Sequence, residues 1–136
     1  MEKKRETRDH PEPGHDPDTG NRQETGRNAE KPVQECVVMF CTAPATASEP
    51  IARMLIDRRL VACVNVQPVQ SYYRWQGEFC NDAEHILIMK TTREKAGDVI
   101  AAIRAAHSYE IPEIIVLPII AGYAPYLSWI VQETQG

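Results

Sequence analysis

His107, Tyr109 and Glu113 bring an imidazole, a phenol and a carboxylate together within seven residues, with Pro112 beside the carboxylate. Pro112 disfavours helical geometry at Ile111, so the chain must turn there. The turn sits between the end of a helical pattern and the apolar run Ile114-Ile-Val-Leu117, and it presents its three polar groups at the edge of a hydrophobic body. Such a set can bind a ligand through charge and hydrogen bonds. It can equally be a hydrogen-bonded corner that holds the fold.

The elements that must position this cluster begin near residue 35. Residues 1–32 contain no Val, Ile, Leu, Phe, Tyr or Trp and are rich in Glu, Lys, Arg, Asp, Pro and Gly. Such a segment buries too little apolar surface to offset its ordering entropy, so residues 1–34 are expected to form a disordered polar tail and residues 35–136 the folded domain. The tail's charges nearly cancel, which gives no basic arm for nucleic acid or lipid. Its His10, His15, Asp16 and Asp18 read as solvated polar groups. The chain of 136 residues carries a formal charge of −4, and no apolar run approaches a membrane span, so neither nucleic acid nor a membrane is an expected partner. Lys3, Lys4 and Arg5 have no apolar stretch behind them, and Cys36, Cys41, Cys63 and Cys80 form no Cys-x-x-Cys pair. The thiols therefore read as reduced cysteines of a cytoplasmic protein.

Cys36-Val-Val-Met-Phe-Cys41 is a short continuous apolar run, suited to a strand buried on both faces. Thr46-x-x-Glu49 resembles a capping box, with Pro50 in an early helical turn, and Ala47, Ile51, Met54 and Leu55 share one helical face. The period then changes to two at Val64 and Val66. Pro68 is expected to interrupt this strand. Tyr73 and Trp75 share one face, Tyr72 and Arg74 the other, before a hairpin turn at Gln76-Gly77. A return strand runs through Ile86-Leu-Ile-Met89. Thr91-x-x-Glu94 resembles a second capping box, ahead of a helix with Ala96, Val99, Ile100 and Ile103 at helical spacing that ends before His107. A strand at 114–117 and a short helix from Tyr126 to Gln132 complete the chain.

The order β-α-β-β-α-β plus a terminal helix predicts an α+β fold, the ferredoxin-like split β-α-β sandwich with an antiparallel sheet. In that topology the second and fourth strands are edges, where Pro68 and Pro118 are tolerated. The hairpin has roughly fifteen residues per arm, well beyond a usual strand. Its exposed aromatics and unpaired backbone predict a neighbouring subunit over a ribbon bent back on its own sheet.

From Cys36 onward the chain resembles the CutA-type divalent-cation tolerance family. The resemblance rests on Phe-Cys-Thr-Ala-Pro at 40–44, Leu-Val-Ala-Cys-Val-Asn at 60–65, Tyr-x-Trp-x-Gly-Glu at 73–78, Glu84 six residues before Lys90-Thr91, His107-x-Tyr109-x-x-Pro112-Glu113, and Tyr126-Leu-x-Trp129. Together these motifs are specific. The resemblance implies a homotrimer built through the long hairpin and a cytoplasmic role linked to copper and other divalent cations. It also implies Cys41 and His107 as metal ligands, with Ala106 standing where family members described as copper binders carry a further histidine, and Ser108 where many carry proline.

A thiolate and an imidazole suit copper or zinc by softness, with Glu113 or His85 as further donors. Two firm ligands fall short of a closed site, so the expected copper or similar divalent ion is weakly bound. Tyr72, Tyr73, Trp75 and Trp129 are expected at the trimer interface. Glu78, Glu84, Lys90, Tyr109 and Glu113 are possible cleft groups or additional ligands. There is no nucleophile elbow, phosphate loop or His-Glu-x-x-His helix, so an enzyme is not expected. The alternatives are a PII-like trimeric signalling module, binding a small anionic effector at subunit clefts through Lys90, Arg74 and Tyr109, and a trimeric scaffold. Deleting residues 1–32 is expected to leave the thermal midpoint nearly unchanged; a fall of tens of degrees in a melting experiment overturns the domain boundary.

Overall fold

The computed structural model describes residues 35–136, so the expectation for the first 34 residues lies outside the described residues. In chain order the elements are β1 (Cys36–Ala43), α1 (Ala45–Asp57), β2 (Cys63–Trp75), β3 (Glu78–Thr92), α2 (Arg93–Ala106), β4 (Ile114–Pro118) and α3 (Ala124–Glu133). The four strands form one sheet in the order β2-β3-β1-β4, with every neighbouring pair antiparallel. This is the predicted α+β sandwich, with β1 and β3 central and the proline-bearing strands at the edges.

Strand alternation divides the sheet into two faces. Val37, Met39, Cys41 and Ala43 of β1 pair across from Thr91, Met89, Leu87 and His85 of β3. All four β1 residues, with Leu87 and Met89, are buried in one core with Ile51 and Leu55 of α1 and Val99 and Ile103 of α2. The opposite face carries Phe40, Thr42, Glu84, Ile86, Ile88 and Lys90. Helix α3 packs against β1 and β3 and buries Ile130 completely.

Three local expectations need correction. Strand β2 runs unbroken through Pro68, which pairs opposite His85. An edge strand has alternate N–H groups pointing away from its neighbour, so one missing donor need not break it. Neither capping box forms. Helix α1 begins at Ala45, so Thr46 already lies within its first turn, and Pro44 is the N-cap. Thr91 belongs to β3, fully buried, where its hydroxyl donates to the Leu60 carbonyl at 2.7 Å; Thr92 takes the cap position of α2.

The hairpin turn falls where predicted. Gln76 and Gly77 have φ of 53° and 81°, the two positive values of a type I′ turn. Beyond the point where β1 ends opposite His85, residues 69–75 pair only with residues 78–84, giving a two-stranded ribbon. Leu87 lies in a central strand with no solvent exposure. Leu87→Ala is expected to cost roughly 2–5 kcal/mol through lost burial and a residual cavity, measured by denaturant unfolding against the wild type.

Candidate functional site

Helix α2 ends at Ala106, and His107 leaves it in extended geometry with φ −88° and ψ 145°. The backbone N–H of Tyr109 donates to His107 Nδ1 at 3.1 Å. That nitrogen therefore holds its lone pair, and Nε2–H donates to the Thr42 carbonyl at 2.7 Å. The imidazole rivets the loop after α2 to the end of β1, and its ring lies 4.5 Å from that of Tyr109 between centroids. Of the two roles left open by the sequence, His107 fills the structural corner. Both ring nitrogens are engaged, so a metal at either one must displace a hydrogen bond.

Cys41 lies on the helix-facing side of β1, with no solvent exposure. Its thiol donates weakly to the same Thr42 carbonyl at 3.6 Å. Burial, reinforced by Glu113 and Glu84, pushes the thiol pKa up to about 12, so the group is neutral near pH 7. Cys41 and His107 thus meet at one carbonyl, but as a protonated core thiol and a fully bonded ring. Among the described residues, no group of three or more His, Cys, Asp or Glu side chains is arranged to hold a metal ion. His85, a further donor by sequence, is instead hydrogen-bonded through Nδ1 to Ser48 of α1 at 2.8 Å. The residues of a single chain therefore do not fit a closed metal centre.

On the other face of the sheet lies a cleft of about 630 Å³. Thr42 and Glu84 line it from the sheet, and Ser71, Tyr73 and Trp75 from the ribbon. The loop after α2 adds Tyr109, Glu110, Ile111 and Glu113. Glu84 is only 7% exposed, and the Tyr109 hydroxyl donates to its Oε1 at 2.9 Å. Burial, together with that bond to Glu84, raises the Tyr109 pKa and keeps the phenol neutral. At the ribbon, the Tyr73 hydroxyl donates to Asp82, a bond that pushes its pKa up to about 12.

Three of the predicted cleft groups therefore meet, Glu84, Tyr109 and Glu113, while Glu78 and Lys90 lie outside. Glu78 is opposite Trp75 at the ribbon turn. Lys90 is six residues along β3 from Glu84, about 20 Å at strand spacing, and bonds Asn65 near Cys63. Arg74 is also absent from the lining. Within one chain, strand length separates Lys90 from Tyr109, so the cation set expected for an anionic effector is not gathered in this cleft by a single subunit. Sequence reasoning missed Ser71, Asp82, Glu110 and Ile111. The hairpin turn held a usable signal, since pairing Trp75 with Glu78 places Ser71 opposite Asp82.

The four aromatics expected at an interface stay partly open in the single chain. Tyr72, Tyr73, Trp75 and Trp129 are 63%, 43%, 38% and 39% exposed. Tyr72 stacks on Phe79, and Trp129 on Tyr126.

Residues 36–133 match the model of the CutA1 divalent ion tolerance proteins. The divalent-cation tolerance protein CutA of Thermus thermophilus is 40% identical over 101 residues, 74% of this chain and 98% of the relative. A CutA homolog of Xenopus laevis is 43% identical over 67% of this chain, which spans 62% of that longer protein. The solved structure of a PII-like CutA protein from Nostoc, in apo form, superposes with a TM-score of 0.70 at 35% identity, covering 73% of this chain and 97% of that one. With the motifs, the fold and these matches in agreement, the chain belongs to the CutA1 divalent ion tolerance family.

Proposed function

We propose that this protein acts in divalent-cation tolerance as a homotrimeric, non-enzymatic binding protein of the cytoplasm. The observation that carries this reading is the family match across residues 36–133. Four free cysteines are consistent with a reducing compartment. Among the described residues, no helix is long and apolar enough to cross a membrane.

What one chain leaves open supports the assembly. Residues 69–75 and 78–84 pair only with each other, and the rest of β2 forms a sheet edge. On the side of the sheet away from α1 and α2, Ile115 and Leu117 stay 45% and 40% exposed. A closed ring lets each subunit cover the next one's edge and apolar face. Light scattering is expected to give a trimer mass in dilute buffer; a persistent monomer ends the idea. Trp75→Ala is expected to weaken assembly by on the order of 3 kcal/mol per site, the cost of truncating a large buried aromatic.

Copper is the metal proposed to bind, weakly, at Cys41 and His107. Binding there has two costs: loss of the Cys41 proton and displacement of a His107 hydrogen bond. With the thiol pKa near 12, the bound thiolate must form against its proton. Affinity is therefore expected to rise as pH increases through the neutral range, about tenfold per unit for one proton released. Calorimetric titration of copper into wild type, Cys41→Ser and His107→Ala is expected to show weak binding that both substitutions reduce. If all three proteins bind alike, the ligand assignment fails.

The cleft favours a second reading, effector binding of the PII-like kind. Its volume of about 630 Å³ falls in the range of small-molecule sites. The Nostoc structure that superposes on this chain is itself named PII-like.

A further inference from the structure

Thr92 carries a buried hydroxyl without a partner. It ends β3, is 2% exposed and takes the N-cap position of α2. Its side chain makes no capping bond, nor any other hydrogen bond among the described residues. A buried polar group of that kind costs stability unless something outside the chain satisfies it. The helix it precedes has an unmet donor as well. The N–H groups of a first turn lack partners within their helix. That of Arg93 donates to the Glu35 carbonyl at 2.8 Å, while that of Lys95 receives nothing from the cap residue.

These groups border a recess of about 300 Å³, lined by Thr92, Glu94, Lys95 and Asp98 at the start of α2 and by the last turn of α3. The recess lies at the end of β3 far from the ribbon. Helical periodicity sets Val131 and Gln135, its lining from α3, on the flank opposite Trp129, with the buried Ile130 between them. It is therefore built by one chain, away from the aromatic face given to a neighbouring subunit.

We propose that this recess binds a small zwitterion, an aliphatic amino acid whose carboxylate rests at the start of α2 and whose ammonium rests on Asp98. Three observations carry it. The Thr92 hydroxyl lines the recess with its proton unused. The positive end of α2 and the Lys95 ammonium favour a carboxylate there. Asp98 supplies the opposite charge one turn further on, about 6 Å along the axis from Glu94, and neither Lys95 nor Asp98 is in an ion pair among the described residues. A simple anion meets the carboxylates of Glu94 and Asp98, and a simple cation meets Lys95 and the helix end; a molecule with both charges matches both ends. The inference stands apart from copper at Cys41 and from the cleft beside Glu84.

The test titrates the full-length, isotope-labelled protein in its native assembly with 4-aminobutyrate, butyrate and butylamine in parallel. The amino acid is expected to shift the backbone amide of Lys95 in nuclear magnetic resonance spectra. It is expected to bind about tenfold more tightly than either single-charge analogue, the worth of one charge-assisted hydrogen bond. Asp98 is exposed, so Asp98→Asn leaves the fold intact and is expected to bring the amino acid down to the level of butyrate. Thr92→Val removes the hydroxyl and is expected to weaken 4-aminobutyrate and butyrate together; Thr92→Ser is expected to restore both. Equal binding of 4-aminobutyrate and butyrate to the wild type, or a preference that survives Asp98→Asn, overturns the zwitterion. Shifts confined to amides outside residues 92–98 and the end of α3 overturn the placement. Binding of none of the three overturns the site.

Discussion

The pairing of β3 governs this molecule. The strand holds β2 along nearly its whole length but holds β1 only from His85 onward. Where three strands lie side by side, Leu87 and Met89 of β3 enter the core beneath the helices. Where only two remain, the chain continues as a two-stranded ribbon carrying Tyr72, Tyr73 and Trp75. Glu84 sits one residue past that boundary. Its side chain is on the face away from α1 and α2, next to the loop that returns from α2. One mismatch in strand length thus produces the projecting arm, the open edges and the cleft together.

The loop from His107 to Glu113 is the second half of that arrangement. Its position depends on a carbonyl at the end of β1, since Thr42 accepts from His107 across 65 residues of sequence. Tyr109 then reaches Glu84 across 25 residues. The histidine acts as a backbone fastener and the tyrosine as the polar contact to the cleft. The division suits their chemistry: an imidazole offers one donor and one acceptor in a fixed plane, and both are used.

Element type and order were readable because the apolar period changes plainly between segments, and the edge strands announced themselves through Pro68 and Pro118. The turn at Gln76-Gly77 was readable as well. Which side of β1 faces the core was not. Met39, Phe40 and Cys41 are all apolar, so the run conceals its own alternation, and Cys41 was open to reading as an accessible ligand. The burial of Glu84 was equally hidden. It follows from a phenol that only the folded chain brings near. Thr46 and Thr91 looked like caps because the motif is local, whereas the helix starts were set by Pro44 and by the continuation of β3 through Thr92. Glu78 and Lys90 were grouped with Glu84 by residue type, and strand length separates them.

The His107–Thr42 bond marks a division between local and non-local contacts. The ribbon closes through a two-residue turn, so its pairing costs little loop entropy and can zip outward from Gln76-Gly77. Strand β4 must find β1 across a far longer span, pairing Ile114 with Cys41 and Pro118 with Val37. The imidazole spans a comparable separation, reaching Thr42 across 65 residues. The arm is therefore the local part of this fold and its cleft the non-local part, since Tyr109 meets Glu84 across 25 residues and His107 meets Thr42 across 65.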